Sequence, residues 1–136
     1  MGLFGRFAYA DGQWRHDPSP TPPYLVVDIH DSDIATVDYA PPGEGCGRCF
    51  LGFEPRIYFE EESANKPLDV RAEGQALAVW ARAVTGVAVE PGSVESLLAS
   101  PDGDDPDDVF VEETVMRLTD LLGLPRPDLA DPMRPI

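Results

Sequence analysis

Cys46-Gly47-Arg48-Cys49 sets two thiols three positions apart. As thiolates, a pair at this spacing clasps one side of a tetrahedral zinc ion or forms a dithiol redox couple. The redox use needs the first cysteine at a helix N-terminus, whereas the residues that follow read as strand. Zinc needs two further ligands, and with no second CxxC in the chain they must come from His30, His16, Asp28 or Asp31. Against this stands a plainer reading, a glycine-rich turn whose thiols are incidental.

Asp28-Ile29-His30-Asp31-Ser32-Asp33 gathers three carboxylates and an imidazole within six residues. A carboxylate beside a histidine orients it as a general base, and the two together hold a divalent ion. No serine or cysteine nucleophile is marked by a motif, however. The H-x-E and P-C-x-x-C signature of zinc deaminases is not met either, because His30 is followed by Asp31-Ser32 and Gly45 precedes Cys46. The same residues suit a polar hairpin turn, where Asp and Ser are expected.

The segment from Asp102 to Glu113 carries seven acids in twelve residues and no base. As a calcium loop it fails, since Pro106 falls at position 5 and Asp107 replaces the glycine required at position 6. It reads instead as a solvated acidic loop leading into a capped helix, and as a surface attractive to a basic groove on a partner. Arg6, Arg15, Arg48 and Arg56 lie among aromatic residues, but with eleven acids from Asp11 to Glu62 no basic face is implied. These arginines are expected to serve as ion-pair partners.

The whole chain bears a formal charge of -15 over 136 residues. Such a field opposes approach to nucleic-acid phosphates or an anionic membrane and favours basic partners. At this length and 43% apolar content, one core is expected. No run of about 18 apolar residues and no secretory leader is seen, so a cytoplasmic location is expected. Nine of the ten basic residues are Arg, a usage that suits a GC-rich bacterial genome.

The elements that position these groups centre on Tyr24 to Tyr39. Two β-branched runs flank the polar cluster His30 to Asp33, the pattern of an antiparallel hairpin. With Asp31-Ser32 as a two-residue turn, Ile29 faces Ile34, Val27 faces Thr36 and Leu25 faces Asp38, while Tyr24 pairs with Tyr39 and Val26 with Val37. Apolar side chains on both faces call for a helical layer on one side and a partial cover on the other. An earlier hairpin turns at Asp11-Gly12, with Tyr9 opposite Trp14 and Phe7 opposite His16. Its aromatic face reads as core rather than as a stacking platform.

Asp17 to Pro23 holds four prolines in seven residues and reads as an extended connector. Cys49 to Glu62 continues the strand pattern, with Glu54-Pro55 as a turn or bulge. A helix is expected from Lys66-Pro67-Leu68-Asp69 to Thr85, stopped by Gly86. A short helix follows at 94–99 with Ser93 as N-cap, then a helix opened by Asp105 and Pro106 and stopped by Gly123.

The expected fold is one α+β domain over 1–136: an antiparallel sheet of four to six strands in 1–62, a helical half in 63–124 with two main helices and a short third on one sheet face, and an irregular proline-rich tail in 125–136. The first functional expectation is a non-catalytic, acidic bacterial interaction protein that binds a basic protein partner, as an immunity protein or antitoxin does. Its contact residues are Asp102, Asp104, Asp105, Asp107 and Asp108, and it needs no cofactor. The alternative is a metal-binding protein or small metalloenzyme holding zinc through Cys46, Cys49, His30 and Asp28. Oligomeric state is left open, a dimer included.

Overall fold

Asp11 and Gly12 take positive φ values of 53° and 81° and turn the chain between β1 (Gly5–Ala10) and β2 (Gln13–Arg15). Tyr9 pairs with Trp14 across this hairpin, as the Asp-Gly turn requires. Three further strands, β3 (Tyr24–His30), β4 (Ile34–Ala40) and β5 (Gly47–Gly52), complete one antiparallel sheet in the order β2-β1-β3-β4-β5. The helices are α1 (Pro55–Tyr58), α2 (Val70–Thr85), α3 (Pro91–Glu95) and α4 (Val111–Leu122). Strands followed by helices make an α+β fold. The computed structural model describes residues 4–15, 20–43, 45–64, 68–100, 102, 105, 106 and 110–127. His16, Asp104, Asp107 and Asp108 lie outside these residues.

The central hairpin is offset by one residue from the pairing expected of a two-residue turn. Asp31 and Ser32 both adopt left-handed backbone, at φ 51° and 58°, and the Asp33 N–H donates to the His30 carbonyl at 3.0 Å. Asp33 is thereby left as an extra loop residue, and Ile29 faces Ala35, Val27 faces Val37 and Leu25 faces Tyr39. The reason lies in burial. The expected register put Asp38 and Thr36 on the face of Leu25 and Val27, whereas the observed one gives that face six apolar side chains, and a slip of one residue inverts a whole strand.

That face is the core. Phe7, Tyr9, Leu25, Val27, Ile29, Val37, Tyr39, Cys49 and Leu51 meet Leu77, Trp80 and Ala81 of α2 and Val111, Val115, Leu118 and Leu122 of α4. The aromatic side of the first hairpin is thus interior, and Trp14 Nε1 donates to the Pro125 carbonyl at 2.6 Å. Asp69 caps α2 by accepting from the Ala72 N–H, and Gly86 ends it at φ 77°. Trp80 Nε1 donates to the Ala40 carbonyl at 2.9 Å, fixing α2 to the end of β4.

Three boundaries differ from expectation. Pro55 opens a one-turn helix where a tight turn or a bulged strand was expected, because proline at the first helical position sacrifices no hydrogen bond. Pro91 likewise starts α3 with Glu90 as N-cap, ahead of the expected Ser93. Helix α4 begins at Val111, not at Asp105-Pro106. Its first N–H is satisfied from outside the helix, by the Ser32 carbonyl at 2.8 Å, so the hairpin turn decides where this helix starts.

Candidate functional site

Strand alternation divides the candidate metal ligands. Cys49 pairs with Val37 on the core face and is 1% exposed. His30 and Asp28 project from the other face, at the opposite end of the sheet from Cys46. Cys46, Cys49, His30 and Asp28 therefore do not converge, and among the described residues no three His, Cys, Asp or Glu side chains form a metal-holding group. Burial pushes the Cys49 thiol well above its ordinary range, with Glu73 and Asp38 adding to the effect. Cys46, by contrast, is exposed.

Tyr39 and Glu73 sit beside this cysteine. The phenol donates to Glu73 Oε1 at 2.7 Å, and burial together with that bond raises its pKa far above the ordinary tyrosine value. The cluster is an internal tie between sheet and helix, since Tyr39 is 4% exposed.

The second face of the sheet is different in character. Its interior positions are Arg6 and Ala8 of β1, Tyr24, Val26, Asp28 and His30 of β3, Ile34, Thr36 and Asp38 of β4, and Arg48 and Phe50 of β5. At the hairpin end, Ile34 and Phe50 form a small cluster with Ala99, joined by Phe53, Tyr58 and Leu68. Above it runs a row of rings. His30 meets Phe4 edge-on at 5.0 Å, Phe59 at 5.3 Å and Tyr58 at 6.1 Å between centroids. Phe4 and Phe59 remain 46% and 52% exposed.

Carboxylates neighbour this row, two of them by contact with Tyr58 and the others in the chain. Tyr58 donates its hydroxyl to Asp33 at 2.9 Å, a bond that raises the phenol's pKa. Asp28 lies two residues before His30 on the same face, Asp31 follows it, and Glu60 and Glu61 follow Phe59. Ser32 donates to Glu112 Oε2 at 2.9 Å, so the first turn of α4 brings a carboxylate to the same hairpin tip. Phe110, 53% exposed, immediately precedes that contact. Of the acidic contact residues read from sequence, Asp102 and Asp105 are exposed.

Three of the sheet-half arginines form the ion pairs expected of them. Arg6 reaches Asp28 at 3.7 Å, Arg48 grips Asp38 through Nε at 2.6 Å and Nη2 at 3.3 Å, and Arg56 reaches Glu54 at 3.1 Å. Beside two of them, at the other end of the second face, lies a cavity of about 630 Å³ lined by Arg6, Pro20, Tyr24, Val26, Asp38, Cys46, Gly47 and Arg48. Sequence reasoning missed both the cavity and the aromatic row. Each combines residues from separated segments; the apolar pattern on both faces of the central hairpin called for a partial cover on the second face but not for what lies there.

No protein-family model, curated protein or solved structure matches the chain. Among the described residues no helix is long and apolar enough to cross a membrane.

Proposed function

We propose that this protein is a non-catalytic binding module for a basic protein partner, of the kind an immunity protein or antitoxin represents, and that it engages the partner at the β3–β4 hairpin tip. The observation that carries this reading is the half-exposed pair Phe4 and Phe59 flanking His30, with Asp33 bonded to the adjoining Tyr58. Aromatic side chains in an interface supply anchoring area, and their faces attract guanidinium and ammonium groups. Asp31 and Asp33 beside Tyr58, and Glu60 and Glu61 next in the chain after Phe59, disfavour acidic partners and steer basic ones, with the overall charge of -15 extending that attraction outward. Asp102 and Asp105, both exposed, add to the acidic charge available to such a partner.

The test is an amide NMR titration with a short arginine-rich peptide containing aliphatic residues, and with an acidic peptide as control. Shifts centred on residues 28–33 and 58–61, weakened by salt and reduced at least tenfold in affinity by Phe4→Ser with Phe59→Ser, are expected. Shifts spread evenly over every acidic segment, or unchanged by the double substitution, would sink the proposal.

A further inference from the structure

The cavity on the second sheet face joins an apolar floor to charged groups placed on separate strands. Val26 is 2% exposed and forms the base, while Tyr24 and Pro20 add apolar wall. Arg6 enters from β1 and Arg48 from β5, with Asp38 of β4 between them. A volume of about 630 Å³ falls in the range of small-molecule sites, which combine apolar lining with a few convergent polar groups.

From this arrangement we infer that the cavity is a binding site for a small organic anion, an oxyanion carried on a flat apolar body. Asp38 occupies Nε and Nη2 of Arg48, which holds the guanidinium in one orientation. A guanidinium has five N–H donors, so the Nη1 donors lie outside that pair, and the group is 61% exposed where it lines the cavity. Its planar fork suits carboxylate and phosphate oxygens. Among the described residues two arginines and one aspartate line the cavity, with Asp28 reaching Arg6 at 3.7 Å, in a chain whose overall charge is strongly negative. The ring-sized remainder of the ligand would lie on Val26 and Tyr24. Gly47 exposes its backbone at the same wall, and a side chain there is barred because its Cβ would strike the Tyr39 ring.

Cys46 supplies a built-in reporter, since it lines the cavity and is exposed while Cys49 is buried. The experiment measures the rate of Cys46 alkylation by neutral iodoacetamide in the intact protein, with phenyl phosphate as probe and amide NMR alongside. Phenyl phosphate is expected to slow alkylation at least fivefold at saturation and to shift the amides of Val26, Gly47 and Arg48. Arg48→Gln and Arg6→Gln should each weaken the apparent affinity at least tenfold, with the amide spectrum of Val37 and Leu51 confirming an intact core. Inorganic phosphate and benzyl alcohol, each lacking half of the ligand, should protect far less. Absent protection, protection unchanged in both arginine variants, or benzyl alcohol performing as well as phenyl phosphate would each overturn the assignment.

Discussion

Tyr39 on β4 and Glu73 on α2 are joined by a hydrogen bond of 2.7 Å that crosses from the sheet to its main helix. The bond sits beside Cys49 and Gly47, at the edge where β5 closes the sheet. Replacing Tyr39 by Phe removes the donor while preserving most of the ring's contacts. A loss of about 1 kcal/mol in unfolding free energy is expected, the usual net worth of such a bond. Glu73→Gln keeps an acceptor and should cost less than Glu73→Ala. Urea midpoints for the three variants decide the matter, and an Ala variant as stable as the Gln variant would remove Glu73 from the account.

The same corner makes the protein sensitive to alkali. Burial holds the Cys49 and Tyr39 protons in the folded state more tightly than in the unfolded chain. A raised folded value means stability that is complete below the unfolded pKa and drains away above it. The unfolded thiol titrates near about 8.5 and the unfolded phenol near about 10, so the loss begins with Cys49 and deepens with Tyr39. Thermal midpoints are expected to hold to about pH 8 and fall thereafter. Cys49→Ala should flatten the first part of that fall, leaving the steeper decline above about pH 10 in place.

What could be read in advance was local. Asp11-Gly12 gave the first turn and the Tyr9–Trp14 pair because two left-handed residues in a row leave few other structures. Gly86 marked the end of α2 because a left-handed cap acts within one helical turn, whereas Asp69, read as part of the first turn, is the N-cap. The missed features depend on distant residues. The β3–β4 turn keeps Asp33 as an extra residue to place Asp38 away from the core, and α4 starts where Ser32 offers a carbonyl. The separation of Cys49 from His30 follows from strand parity, yet parity could be assigned only once the register was known. The cavity and the aromatic row needed the order β1-β3-β4-β5, which puts Arg6 and Arg48 on one surface.

Gly52 provides a sharper test of the hairpin's surroundings. At φ 81° it is left-handed, and a Cβ built there would fall on the Asp33 carbonyl oxygen and crowd Val111. Gly12 has the same φ with open space around it. Gly12→Ala should therefore cost only backbone strain, roughly 1–2 kcal/mol. Gly52→Ala must also move the Asp33 turn, which carries Tyr58 and abuts the start of α4, and is expected to exceed that by about 2 kcal/mol or more. Equal denaturation midpoints for the two variants would show that the turn yields easily. A larger loss at Gly52, accompanied by amide shifts at Ser32 and Val111, would confirm that the hairpin tip and α4 are mechanically one unit.

Glu54 raises the question of a buried charge. It is 1% exposed, and Arg56, two residues on in α1, approaches it at 3.1 Å with a side chain only 19% exposed. Removing one partner of a buried pair leaves a charge in a low-dielectric setting, and this costs more than the pair itself is worth. Arg56→Ala should thus destabilise by about 3 kcal/mol or more, whereas replacing both residues together with apolar side chains of similar size should cost far less. Because α1 carries Tyr58 and leads to Phe59, both in contact with the His30 ring, the single variant should also disturb the aromatic row. A double-mutant cycle read by urea unfolding, with the His30 side-chain resonances followed in parallel, separates the two effects. If the single and double variants are equally unstable, the pair is an ordinary packing contact; if the double variant recovers both stability and the His30 environment, the Glu54–Arg56 pair is what positions the candidate binding surface.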